Sequence, residues 1–291
     1  MLGMIMAVKN EKTKKTKRKN PFTYNILTMV SAIVFLICLI LVIFAPLFTK
    51  YDPDALDLAN TLGGCSSEHW LGTDMQGRDI WARILYGGRP AMLSPILVVI
   101  ISTVFGVPLG IFSGFTGGKI DNFIMRICDV ILSIPVLLLA LITVSVFGRG
   151  ITNSIIILGV FYIPLMARMV RSSAIVQKEQ PYIEACYALG YSKSRILFRH
   201  ILPNCLSTVL VQSTLNLGYS MLDLSGLSFL GLGVQPPDAD WGTMISEGKQ
   251  VFQLAPNVCI ASGLAIMIVV VCFNLIGDGL DAYFDPKRRK R

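Results

Sequence analysis

Six apolar runs, at about 26–48, 91–114, 123–147, 151–170, 205–233 and 256–277, constrain this chain more than any other feature. A helix of roughly 20 such residues crosses about 30 Å of hydrocarbon. In lipid, only helices and closed barrels satisfy their own backbone groups. The sequence therefore predicts an all-α integral membrane protein with about six transmembrane helices, the fifth run being long enough to hide a break. Hydrophobic residues make up 53% of the chain and charged ones 15%, an imbalance beyond that of a soluble domain. The first run has too long an apolar part for a cleaved signal, and no small-residue cleavage site follows it, so it is read as a retained anchor.

Orientation follows from Lys and Arg. With the amino terminus inside, the inner segments hold 20 basic residues and the outer segments six. The positive-inside rule then puts both termini in the cytoplasm. The outer segments carry nine of the 18 acids, among them Asp52, Asp54, Asp57, Asp74 and Asp79. The net charge of +8 is thus a topology signal and calls for no nucleic-acid partner. The run "KNEKTKKTKRKN" reads as an arm facing the lipid surface of the bilayer.

These signals divide the chain into a basic cytoplasmic arm (1–20), a first transmembrane anchor (21–48), an external segment (49–89), a helical core (90–280) and a basic cytoplasmic tail (281–291). The external segment is expected to end in a short amphipathic helix with Ile80, Ile84 and Leu85 on one side. Gly106, Gly110 and Gly114 recur every four residues, giving the second helix a face that a neighbour can approach closely. Pro108, Pro135 and Pro164 are expected to kink or interrupt three helices, for tight packing or for a moving transport path.

A polar loop of over 30 residues, 171–204, separates the fourth and fifth runs on the cytoplasmic side. Its pattern is two short helices with a corner. Residues 173–188 suit the first, and Gly190 stands where a helix end needs positive φ. Ser192 suits an N-cap for "KSRILFRHI", and Pro203 with Asn204 closes that helix and opens the next span. Such a bent hairpin is shaped to enter a groove on another protein.

The stretch "EACYALG" followed by "HILP" resembles the EAA loop of ATP-binding-cassette importer permeases, with Glu184, Ala185, Gly190, Leu202 and Pro203 in register and Cys186 replacing an Ala. The segments "HWLGTDMQGRDIWARILYGGR", "SFLGLGVQPPDADWG" and "FNLIGDGLDAYFDP" are similar to the C-type subunit of the dipeptide, oligopeptide and nickel branch. The resemblance covers nearly all of residues 50–286. It implies a MetI-like, type I importer fold, a second and different permease subunit, two ATPase subunits and an external solute-binding protein. It also implies that Glu184, Ala185, Cys186, Gly190 and Pro203 belong to a coupling loop that docks on an ATPase. The physical reading agrees, since an ATPase can move membrane helices only through a well-seated contact.

The sequence carries no catalytic constellation and calls for no cofactor or metal. "GFTGGKID" fails as a phosphate loop, because Ser113 and Ile120 occupy key positions and no strand precedes it, so ATP belongs to another chain. His69 reads as a hydrogen-bonding residue of the external segment, and the seven scattered cysteines read as packing residues. Ionisable residues at membrane depth are better leads, since each costs about 2.5–3.5 kcal/mol or more unless paired or hydrated. Asp223, with Met221 beside it, is the candidate for the translocation path, near Gly226, Gly231 and Gly233, where the fifth helix is expected to break. The plain alternative is an interhelical hydrogen bond. Arg126, Asp129 and Asp278 read as structural.

A permease subunit of an ATP-driven importer is thus the leading reading. An ion-coupled carrier would show repeat symmetry and several buried titratable residues. Gly226 and a Met–Asp pair tilt the substrate toward nickel or a metal chelate, with short peptides as the alternative.

Overall fold

The computed structural model describes residues 26–284. Among them it is all-helical, 77% helix with no strand. The basic arm and residues 285–291 lie outside the described residues.

Helix α1 (Ile26–Ile43) is the anchor, and it stops at Phe44 before a single turn, α2 (Ala45–Phe48), that begins around Pro46. The segment 49–79, expected to be external, then folds without regular structure, save a 3-10 turn at Leu58–Asn60 capped by Asp57. Next comes α3 (Ile80–Thr116), a single helix of 37 residues. The separate short helix expected before residue 90 is absent: α3 runs straight through Pro90 and Pro95, and Asp79 caps its start by accepting from Ala82 N. Tertiary packing explains the continuity. Gly87 lies against the backbone of Ala239 and Asp240, and Gly88 against Trp241 and Val42, so neighbours hold this stretch in place.

Helices α4 (Gly118–Leu132) and α5 (Val136–Phe147) form the third run, bent by 81° at the break before Pro135. Of the three prolines expected to disturb helices, only Pro135 interrupts one. Pro108 and Pro164 stay inside α3 and α6 (Ile151–Lys178). The glycine face behaves as predicted. A Cβ at Gly106 would stand 2.8 Å from Met166 Cβ, at Gly110 3.0 Å from Val170 Cβ, and at Gly114 3.0 Å from Ala174 Cβ. Helices α3 and α6 therefore meet nearly backbone to backbone along three turns.

After α6 come α7 (Pro181–Ala188), α8 (Lys193–Ile196) and α9 (Leu202–Phe229). Helix α9 is unbroken through Gly226 and ends at Phe229, so the break lies at Gly231, whose φ is +76°. Helices α10 (Trp241–Lys249) and α11 (Asn257–Phe284) complete the chain.

Among the described residues four helices, α1, α3, α6 and α11, are long and apolar enough to cross a membrane, and the bent pair α4–α5 makes a fifth if it counts as one span. The sixth expected span, α9, has 28 residues and reaches about 42 Å at 1.5 Å per residue. It is less apolar because Gln212, Asn216, Ser220 and Asp223 lie along it, and it packs inside the bundle against α3, α6 and α11.

Candidate functional site: a seated coupling loop and a polar track

At one end of the bundle the loop 171–204 folds as a hairpin that departs from the expected one twice: α6 runs on into it, and its second helix does not stop at Pro203 but passes through a π turn into α9 without a break. Helix α6 continues to Lys178, and the corner at Glu179–Gln180 starts α7 at Pro181, a residue preorganised for the first helical turn. Helix α7 ends as predicted. Gly190 has φ +74°, Gly190 N donates to Tyr187 O at 3.0 Å and Tyr191 N to Cys186 O at 3.1 Å. This pair of bonds is the Schellman closure that a left-handed residue permits. Ser192 caps α8, accepting from Arg195 N. Pro203 lacks an N–H and its ring would crowd the carbonyl of Arg199. The wider π-helical turn Leu197–Ile201 just before it accommodates both faults.

Burial divides the hairpin into two faces. Ile183, Cys186, Ile196 and Ile201 join Ile111 and Phe115 of α3, Met166, Val170 and Ala174 of α6, and Cys205 of α9 in one apolar cluster. Glu184, Ala185, Tyr187, Leu189 and Gly190 face outward, and so does Pro203. Leu189 is 72% exposed, and Phe198 beyond it 67%. Among the described residues Glu184 has no side-chain partner, whereas the basic residue Arg195 is held over the Tyr191 ring at 4.3 Å. An eight-residue helix is unstable alone, so this cluster is what fixes α7. Polar ties close the hairpin: Tyr182 Oη donates to Gln177 Oε1 at 2.9 Å and accepts from Asn204 Nδ2 at 3.1 Å, joining the loop's two ends.

Just above the seat lies a clamp that sequence reasoning missed. Arg171 of α6 grips Asp121 of α4 through two bonds of 2.6 Å, and Ser113 of α3 donates to the same carboxylate. Three helices are thereby fixed where the loop leaves them. The carboxylate was visible in "GFTGGKID", but its basic partner stands 50 residues away. Asp129 is structural, as expected, and pairs with Arg168.

Asp223 sits partly buried on α9 and accepts a hydrogen bond of 2.9 Å from Tyr162 Oη of α6. Beside it a Cβ at Gly226 would meet nothing within 4 Å, and Tyr219 and Leu222 are exposed, so among the described residues this stripe of α9 is open apart from the contact with Tyr162. Met221 does not share that face. It is fully buried with Trp241, Met244 and Phe273 in a separate cluster, which separates it from Asp223 as a candidate. Among the described residues no cluster of His, Cys, Asp or Glu is placed to hold a metal.

The opposite end of the bundle carries a buried ion network. Arg78 Nε meets Asp74 Oδ2 at 2.6 Å and Arg78 Nη2 meets Glu247 Oε2 of α10 at 2.7 Å, while Arg83 reaches Asp54 and the carbonyls of Pro53 and Pro237. His69 bonds Asp79 at 2.9 Å and lies against Tyr51, the structural role the sequence suggested. Burial pushes the Asp240 carboxyl at the start of α10 above its ordinary range, against bonds from Ser228 and three backbone amides. The sequence signal for the network was present in the acid–base pairs four apart, Asp74 with Arg78 and Asp79 with Arg83. Only the first of these pairs forms an ion pair.

Residues 106–290 match the family of the binding-protein-dependent transport system inner membrane component, and residues 21–63 match the N-terminal TM domain of oligopeptide transport permease C. The chain belongs to the binding-protein-dependent permeases of ABC importers. The permease is 41% identical over 265 residues to the dipeptide transport system permease protein DppC of Alkalihalophilus pseudofirmus, covering 91% of this chain and 87% of that protein. It is also 41% identical over 260 residues to the glutathione transport system permease protein GsiD of Pectobacterium atrosepticum, covering 89% and 86%. Its fold is that of the membrane subunit in inward-facing structures of the MetNI methionine ABC transporter, with a TM-score of 0.59 at 20% identity over 69% of this chain and 96% of that one. The permease is a transport component, not an enzyme, and the importer's ATPase and binding protein are separate partners.

Proposed function

We propose that this permease forms half of the translocation pathway of a short-peptide importer. It pairs with a second, different permease subunit, two ATPase subunits and an external solute-binding protein in a bacterial or archaeal inner membrane, with both termini in the cytoplasm. The observation that carries the coupling role is the two-faced hairpin: Ile183 and Cys186 are locked into α3, α6 and α9 while Glu184, Tyr187 and Leu189 stand free for a partner. A movement imposed on the outer face is then transmitted to three helices rather than absorbed by a loose loop.

Peptides replace nickel as the favoured substrate. The dipeptide and glutathione names of the relatives support this, and the thioether once paired with Asp223 is buried elsewhere. Asp223 remains the path candidate. Its carboxylate, oriented by Tyr162 on the open stripe of α9, suits the ammonium group at a peptide's amino terminus.

Uptake by the reconstituted importer tests both readings. Wild type is expected to accumulate labelled di- and tripeptides and not nickel. Asp223→Asn should retain assembly and ATP hydrolysis but lose peptide uptake. Nickel uptake without peptide uptake would reverse the substrate choice, and unchanged peptide uptake in Asp223→Asn would remove that residue from the path.

A further inference from the structure

At the end of the bundle that carries the outer segment, α1, α3 and α11 do not close on one another. Between them lies a cavity of about 270 Å³ whose walls include Leu41 of α1, Ile84 of α3, Trp241 of α10, and Leu264, Ala265 and Ile268 of α11. These walls offer water almost no partner. Leu264 and Ile268 are themselves among the exposed apolar residues of a membrane-crossing helix, so the cavity faces hydrocarbon.

Trp81 also borders a second, wider cavity of about 780 Å³, with a different chemistry. That mouth is formed by Thr49, Lys50 and Tyr51 after α2, by Ser67 and Glu68 of the outer segment, and by Trp70. The Trp70 and Trp81 rings lie 5.8 Å apart, and Trp81 Nε1 donates to Phe48 O at 3.1 Å, which fixes the rim. Asp79 also lines the mouth, but its carboxylate is engaged by His69 and by Ala82 N. The chain's three tryptophans therefore all border this pair of cavities. Amphipathic indole rings favour the boundary between headgroups and acyl chains.

An apolar slot and a mouth bearing an ammonium, hydroxyls and a carboxylate, with Trp81 as their shared wall, match one class of molecule. We propose that these two cavities, adjoining at Trp81, together bind one glycerophospholipid with a zwitterionic, amine-bearing headgroup, from the leaflet on the side of the outer segment. An acyl chain lies in the slot between α1 and α11, the glycerol esters lie at Trp81, and Lys50 meets the phosphate while Glu68 meets the headgroup amine. The bound chain completes the packing of α1, the least buried of the four spans formed by a single long helix.

The test titrates the assembled, delipidated importer with phosphatidylethanolamine and reads occupancy by native mass spectrometry. One saturable lipid per copy of this permease is expected. Ala265→Phe, which fills the slot, should weaken binding about tenfold, the effect of displacing about two methylenes. Should that variant fail to assemble, Ala261→Leu fills the same slot with a smaller side chain. Lys50→Glu should also weaken binding, with the slot intact. Unchanged affinity in the slot-filling variants overturns the proposal, as does equal affinity for a free fatty acid of the same chain length or for phosphatidylglycerol.

Discussion

Ile183→Ala separates the buried seat of α7 from its exposed face, the one proposed to dock an ATPase. Ile183 is fully buried within the cluster that joins α7 to α3, α6 and α9. The substitution removes three carbons, about 2.4 kcal/mol at about 0.8 kcal/mol per methylene. The cavity left behind brings the loss into the range of about 2–5 kcal/mol. Helix α7 has only eight residues and no autonomous stability, so the loss falls on its seating. A loss of about 3 kcal/mol lowers the ratio of seated to unseated hairpin by about two orders of magnitude. The bundle itself should survive, because the close approach of α3 and α6 through Gly106, Gly110 and Gly114 does not involve α7. The assay is ATP hydrolysis stimulated by loaded binding protein in the reconstituted importer, alongside peptide uptake. Ile183→Ala should assemble yet lose most of the stimulation and uptake. Ile183→Val, costing about 0.5–1.5 kcal/mol, should keep most of both. Wild-type coupling in Ile183→Ala would refute the idea that buried packing of α7 transmits the motion.

Glu184→Lys reverses a charge on the exposed face and should leave the permease folded while abolishing ATPase co-purification; full recovery of the ATPase would count against docking there. Gly190→Pro should give the same loss from the other direction, since proline fixes φ near −65° where the chain needs +74°. With native cysteines removed, Thr61→Cys should react with an impermeant thiol reagent from outside and Ser194→Cys only after the membrane is opened; the reverse pattern would invert the orientation. Arg78→Ala takes the 2.6 Å partner from the buried carboxylate of Asp74, leaving Arg83 Nε at 3.7 Å, and should destabilise the complex by up to about 3–5 kcal/mol in a thermal-shift measurement. Arg83→Met should cost far less, because its Nε and Nη2 make no hydrogen bond and Arg78 still serves Asp74 and Glu247; equal losses would contradict the division of labour between the two arginines.

What the sequence determined by itself was whatever depends on local chemistry. The apolar runs set the class, because hydrocarbon admits few backbones. Gly190 and Ser192 set the corner of the hairpin through φ and capping, and each acts where the sequence places it, whereas Pro203, expected to end a helix, stands inside a continuous one just after the π turn Leu197–Ile201. Spaced glycines announced a close helix contact, since the absence of Cβ is read without knowing the neighbour. Tertiary structure alone decided which neighbour that was, and it decided every pairing between distant residues. Helix α3 passes through Pro90 because Trp241 and Val42 pack on the adjoining Gly88. Met221 turned into the core while Asp223, two residues on, turned to Tyr162, because 100° per residue sends near neighbours on a helix to different faces. Arg171 with Asp121, and Arg78 with Glu247, lie 50 and 169 residues apart. No local pattern encodes such partners, since charge in a sequence states what a residue needs and only the packed helices supply it.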